Sequence, residues 1–163
     1  MTTKADFTDE EWTRLKRAPF VAGMGVSLAD PGGPIEAFHE TAATLRTALP
    51  STDGTGRGEL VDALSADLKQ DAQAHHNPLS GFKPQSGATA GVEILDELKG
   101  ANQIVVSKGT PEDAQAFREW LLDVAQAAAY AAKEGGFFGF HAVRVSEGEQ
   151  RMLDSLREAL GSS

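Results

Sequence analysis

Apolar residues recur at three- and four-residue intervals along most of this 163-residue chain, which is the period of amphipathic helices. The longest such stretch runs from Thr110 to Glu134. Phe117, Trp120, Leu121, Val124 and Ala128 form its apolar stripe, and the surrounding alanines leave a smooth surface on which a neighbouring helix can pack closely. Its start reads Thr110-Pro111-Glu112-Asp113: a hydroxyl at the N-cap, a proline where no N–H is needed, and acids facing the helix dipole. Gly135-Gly136 ends it, since glycine takes the left-handed C-cap conformation without steric cost.

The first helix is expected to start at Thr8, with Glu11 completing a capping box and Phe7 and Trp12 closing a hydrophobic staple. Pro19 predicts a break or kink, with a new helix bearing Phe20, Met24 and Leu28 behind it. Gly23 and Gly25 weaken that segment in isolation and point to close helix approach. Arg14, Lys16 and Arg17 then fall in the last turn before the break, where cations suit the helix dipole better than they argue for a docking patch. After the turn Asp30 to Pro34, a helix is expected from Ile35, Phe38, Ala42, Leu45 and Leu49, and another from Leu60, Val61, Leu64, Leu68 and Ala72, ending near His75-His76-Asn77-Pro78.

Val92, Leu95 and Leu98 mark a further helix, with Ile104-Val105-Val106 read as its last turn. The segment from Leu79 to Gly87 reads as a connection anchored by Leu79 and Phe82. Ser146 and Glu149 form a second capping box ahead of Met152, Leu153, Leu156 and Leu160. Six or seven helices and no convincing strand predict an all-α fold. The expected form is a single-domain helical bundle over 1–163 around the long central helix 110–134, with exposed loops at 50–58 and 77–87. Phe137-Phe138-Gly139-Phe140 has no helical period, so these phenylalanines either plug the core or form an interaction surface.

Charge narrows the function. A formal net charge of −9 argues against nucleic acid and against anionic membrane surfaces, and leaves a protein partner or a cation open. With no cysteine there are no disulfides, thiolate metal sites or cysteine nucleophiles. No apolar run reaches the roughly 18 residues of a membrane span, and Met1 to Asp9 lacks the apolar core of a signal peptide, so a cytoplasmic location is the default expectation.

Catalytic motifs are missing from the sequence. Gly87 to Gly91 lacks the lysine and spacing of a P-loop, there is no GxSxG elbow, and His39-Glu40-Thr41-Ala42-Ala43 lacks the second histidine of a zinc-protease site. Glu36 and His39 have the Glu-x-x-His spacing that di-metal bundles use, although no second pair accompanies them. Asp71 and His75 stand at i, i+4 and could hold a divalent ion weakly, with His76 beside them. A helix C-terminus ahead of Asn77 and Pro78 accounts for these histidines better. His141 lies in the apolar loop and reads as a backbone hydrogen-bonding group rather than a base.

Two places share a pattern. Ser27-Leu28-Ala29-Asp30-Pro31-Gly32-Gly33 leads into a helix bearing Glu36 and Glu40, and Ala131-Ala132-Lys133-Glu134-Gly135-Gly136 leads through an insertion into Val145 to Glu149. This pattern resembles the helix–turn–helix halves of tellurite-resistance B-like (TerB-like) domains, whose turn reads roughly Ala-Asp-Gly. Here the turns are Asp-Pro-Gly-Gly and Lys-Glu-Gly-Gly. The resemblance implies an all-helical, stress-associated domain in which acidic residues bind divalent ions; Asp30, Glu36 and Glu40 are the positions that carry it.

The preferred reading is therefore a non-enzymatic helical interaction domain that contacts a protein through a helix face or through Phe137, Phe138 and Phe140. The alternative is a divalent-metal-binding domain in which Asp30, Glu36, His39 and Glu40 converge, a divalent metal being the one candidate cofactor. A small-molecule-binding bundle lined by alanine and phenylalanine is a third reading without a positive signal. Melting of the chelated protein with added Mg²⁺, Ca²⁺, Mn²⁺ or Zn²⁺ separates the first two. A native-only ligand contributes about 2.7 kcal/mol at roughly a hundred times its dissociation constant. The metal reading expects an ion-specific rise that Glu36→Ala abolishes; an unchanged midpoint with every ion ends it.

Overall fold

Thr8 opens the first helix with the reciprocal bonds its spacing predicts. The Glu11 N–H donates to Thr8 Oγ1 at 3.1 Å, and the Thr8 N–H donates to Glu11 Oε2 at 2.8 Å. The rings of Phe7 and Trp12 close the staple at 5.6 Å between centroids. The computed structural model describes residues 2–29, 57–77, 79–85, 89–134 and 147–161. Their regular structure is all helical, with no strand among them: a 3₁₀ turn Lys4–Asp6, then α1 Asp9–Ala29, α2 Glu59–Gln73, α3 Ala90–Lys108, α4 Pro111–Glu134 and α5 Glu147–Gly161. No described helix is long and apolar enough to cross a membrane.

Pro19 does not break α1, contrary to the sequence expectation; it lies inside one continuous helix. Proline removes one main-chain donor at a cost of about 3 kcal/mol in a helix interior. Ala18 to Val26 are all buried, so packing on every side holds the segment against that cost. The two segments read as separate helices are one because α1 packs against each of the other four α-helices. Gly25 permits one close approach. A Cβ there would sit 3.1 Å from Ile94 Cγ2 on α3 and 3.5 Å from Met152 Sδ on α5.

The helix α4 is the longest described and begins as expected. The Asp113 N–H donates to Thr110 Oγ1 and the Thr110 N–H to Asp113 Oδ2, both at 3.1 Å. Phe117, Trp120, Leu121, Ala125, Ala128 and Ala129 are buried, so the alanine-rich face does meet its neighbours closely. It too touches each of the other α-helices. The buried faces of α2 (Leu60, Val61, Leu64, Leu68) and α5 (Leu153, Leu156, Leu160) follow their predicted stripes.

The stripe on α3 requires a correction. Val92 is 61% exposed, and the buried line is Ile94, Leu98, Ala101 and Val105. Two successive steps of three fall about 60° short each, at about 100° per residue, so Val92 lies about 120° from Leu98. Alternating steps of four and three hold the line. Ile104 to Val106 are helical, as the sequence predicts. Leu79 and Phe82 are half-buried against the core and anchor the connection between α2 and α3. The helix expected from Ile35 to Leu49, residue Ser146 of the second capping box and the phenylalanine loop lie outside the described residues. The described part thus holds five of the expected six or seven helices.

Asp67 on α2 ties the N-terminus down. It accepts from Lys4 Nζ at 2.8 Å and from Trp12 Nε1 at 2.7 Å. Its partial burial acts to raise the carboxyl pKa, but the bonds from Lys4 and Trp12 outweigh this and hold it below the usual aspartate value. The bond to Asp67 raises Lys4 in turn. A lowered carboxyl stabilises the fold above its unfolded pKa, near pH 4, and that contribution is lost as pH falls through the folded value; a raised lysine contributes up to about pH 10.5. Asp67→Ala should therefore cost about 1 to 2 kcal/mol at pH 7, mainly by stranding the indole N–H. In denaturant titrations the difference from wild type should shrink as pH falls below the ordinary aspartate range, at about 4.

Candidate functional site

Along α1's first half, Asp9, Glu10 and Thr13 are exposed and Arg14, Lys16 and Arg17 are half-buried. The sequence reading assigned the three cations to the dipole of a helix ending at Pro19. Because α1 continues to Ala29, they stand within the helix and reach sideways to other elements instead. Lys16 pairs with Asp71 on α2, while Arg14 and Arg17 both reach Glu97 on α3.

Glu97 is bracketed unequally. Its Oε1 accepts from Arg17 Nε at 2.8 Å and lies 2.7 Å from Arg17 Nη2, whereas its Oε2 meets Arg14 Nη2 at 3.1 Å. Arg17 also donates through Nη1 to the Ser80 carbonyl at 3.2 Å, and its guanidinium lies 5.8 Å from the centroid of the Phe82 ring. The side chains of Arg17 and Glu97 are 14% and 11% exposed, against 32% for Arg14. Gly100 leaves the space for the Arg14 guanidinium, since a Cβ at that position would overlap it.

The end of α2 forms the other side. The His76 N–H bonds the Asp71 carbonyl at 2.9 Å and the His75 N–H bonds that of Ala72 at 3.2 Å, a Schellman closure. His75 therefore takes the left-handed position usually held by glycine, at φ 58°. The helical face that would have paired Asp71 with His75 ends at Gln73, so this suggested metal pair does not form. His76 approaches instead, with Nδ1 3.4 Å from Asp71 Oδ1, while Lys16 occupies Oδ2. An ammonium on the carboxylate opposes a cation there. Among the described residues no group of three or more histidines and acids is placed to hold a metal.

Two shallow clefts meet at Thr13 and Ser80. One, of about 280 Å³, is lined by Lys16, Asp71, His76 and Asn77. The other, of about 570 Å³, lies over Asp9, Glu10, Arg14, Arg17, Gly81 and Glu97. Together they form a groove of mixed charge between α1, the end of α2, the segment 79–85 and α3. Its polar groups are paired internally: Asp71 and Glu97 accept from cations, and the Thr13 hydroxyl donates to the Asp9 carbonyl at 2.8 Å. Glu97 and Ser80 had no signal in the sequence, because Arg17 meets them across 80 and 63 positions.

The metal candidates Asp30, Glu36, His39 and Glu40, the surface candidates Phe137, Phe138 and Phe140, and His141 lie outside the described residues. Compared with known proteins, the chain matches no family model, no curated protein and no solved structure at a significant level.

A histidine at a left-handed C-cap position is strained where glycine is not. His75→Gly should raise the unfolding free energy by about 0.5 to 1 kcal/mol, a shift of about 1 to 4 °C in melting temperature. Calorimetry showing a lower midpoint would mean that the His75 side chain makes a stabilising contact exceeding that strain.

Proposed function

We propose that this chain is a non-enzymatic helical interaction domain, and that the charged groove beside α1 is its docking face. One observation carries the reading: Lys16, Arg14 and Arg17 are paired with acids from α2 and α3 along a concave surface that presents both signs of charge. A groove ordered in this way selects a partner by charge register, and such complementarity contributes more to specificity and encounter rate than to raw affinity. The TerB-like resemblance supports a stress-associated setting for the domain.

Partner capture from the source cell by cross-linking tests the docking face. The groove-rim pair Glu10→Lys and Asn77→Arg reverses or adds charge at exposed positions. It should lower capture of a specific partner about tenfold, which corresponds to about 1.4 kcal/mol. Val92→Lys with Val106→Lys is the control, since both residues are exposed on a part of α3 turned away from Glu97. Equal capture by the groove pair and wild type, with both folded by melting, would refute the assignment.

A further inference from the structure

We propose that Arg14 is the residue by which the groove recognises its partner, by moving from Glu97 onto a carboxylate of a bound peptide segment; the proposal rests on the groove being a docking face. The two arginines at Glu97 are not equivalent. Arg17 makes the two short contacts to one oxygen, holds the Ser80 carbonyl and lies against Phe82. Arg14 makes one longer contact to the other oxygen and a marginal one, at 3.4 Å, to the Glu97 carbonyl. Arg17 therefore neutralises Glu97 by itself, and Arg14 is the second guanidinium on a single carboxylate.

Its donors are also underused. Arg14 Nε is sealed from solvent and has no acceptor among the described residues. A buried donor without an acceptor disfavours the arrangement that holds it. If Arg14 turns from Gly100 toward the cleft, it exchanges these contacts for the bidentate pair that a guanidinium makes with a carboxylate. Glu97 keeps its short bonds to Arg17 throughout.

The cleft walls define the ligand further. Two guanidiniums face three carboxylates there, Asp9, Glu10 and Glu97. That surplus of negative charge repels a phosphate dianion more strongly than a single carboxylate, and it attracts a base carried beside that carboxylate. The recognised segment is thus a peptide in which an acid and a base lie close together.

The test is an NMR titration of the whole chain, read at the Arg14 Nε–H and at the amides of Ser80 and Gly81. Acetyl-Glu-Ala-Lys-amide is compared with acetyl-Gln-Ala-Lys-amide and with inorganic phosphate, each up to about 10 mM, a range suited to a minimal ligand. The glutamate peptide should shift the Arg14 signal and bind about fivefold more tightly than the glutamine peptide, the scale of an exposed ion pair. Arg14→Gln should remove that preference, and the ligand comparison on unaltered protein stands even if the variant folds poorly. Equal shifts from both peptides at Ser80 and Gly81 would overturn the role of Arg14 and leave the docking face standing. Stronger binding of phosphate would overturn the peptide assignment. No response at any groove signal would overturn both this proposal and the docking face beneath it.

Discussion

The stretch of α1 from Ala18 to Val26 is apolar on every side, and the described structure depends on covering it. From Ala18 to Val26 every residue is buried, including Pro19 and both glycines. A helix of that kind has no face to turn toward water, so it needs neighbours all round. α2, α3, α4 and α5 supply them. The small residues set how near they come: Gly25 admits Ile94 and Met152, and Ala125, Ala128 and Ala129 give α4 its low relief.

Where α1 leaves this enclosure, its side chains change character, and the groove results. Arg14, Lys16 and Arg17 stand on the half of α1 that the other helices only partly cover, close enough to α2 and α3 for their charges to be shared. Partly buried guanidiniums need acceptors; Glu97 and the Ser80 carbonyl provide them for Arg17, and Phe82 provides the ring face. The same pairing fixes the segment 79–85 against α1 and gives the groove its floor. The packed core and the charged groove are thus two consequences of one helix whose middle is enclosed and whose first half is partly open.

Local features were legible in advance for a simple reason: their partners lie within four residues. The box at Thr8, the N-cap hydroxyl of Thr110, the Phe7–Trp12 staple and the buried stripes of α2, α4 and α5 need only the geometry of one turn. Pro19 was misread because propensity describes an isolated helix, while this one is held by burial. Val92 was misread because a run of threes resembles a helical stripe over one turn and drifts off it over two. The histidines at the end of α2 were recognised as a helix stop, but the left-handed turn at His75 decides which of them faces Asp71.

By itself the sequence determined that the described chain is helical, where most of its helices start and which residues leave water, because these follow from periodicity and from bonds between near neighbours. Only the tertiary structure decided that α1 is one helix, that Asp67 joins Lys4 to Trp12, and that Glu97 lies between two arginines. The last two join residues 55 to 83 positions apart in the chain, and no local spacing encodes a contact of that range. The groove belongs to this second group, since each of its walls comes from a different element and its shape exists only once they have packed.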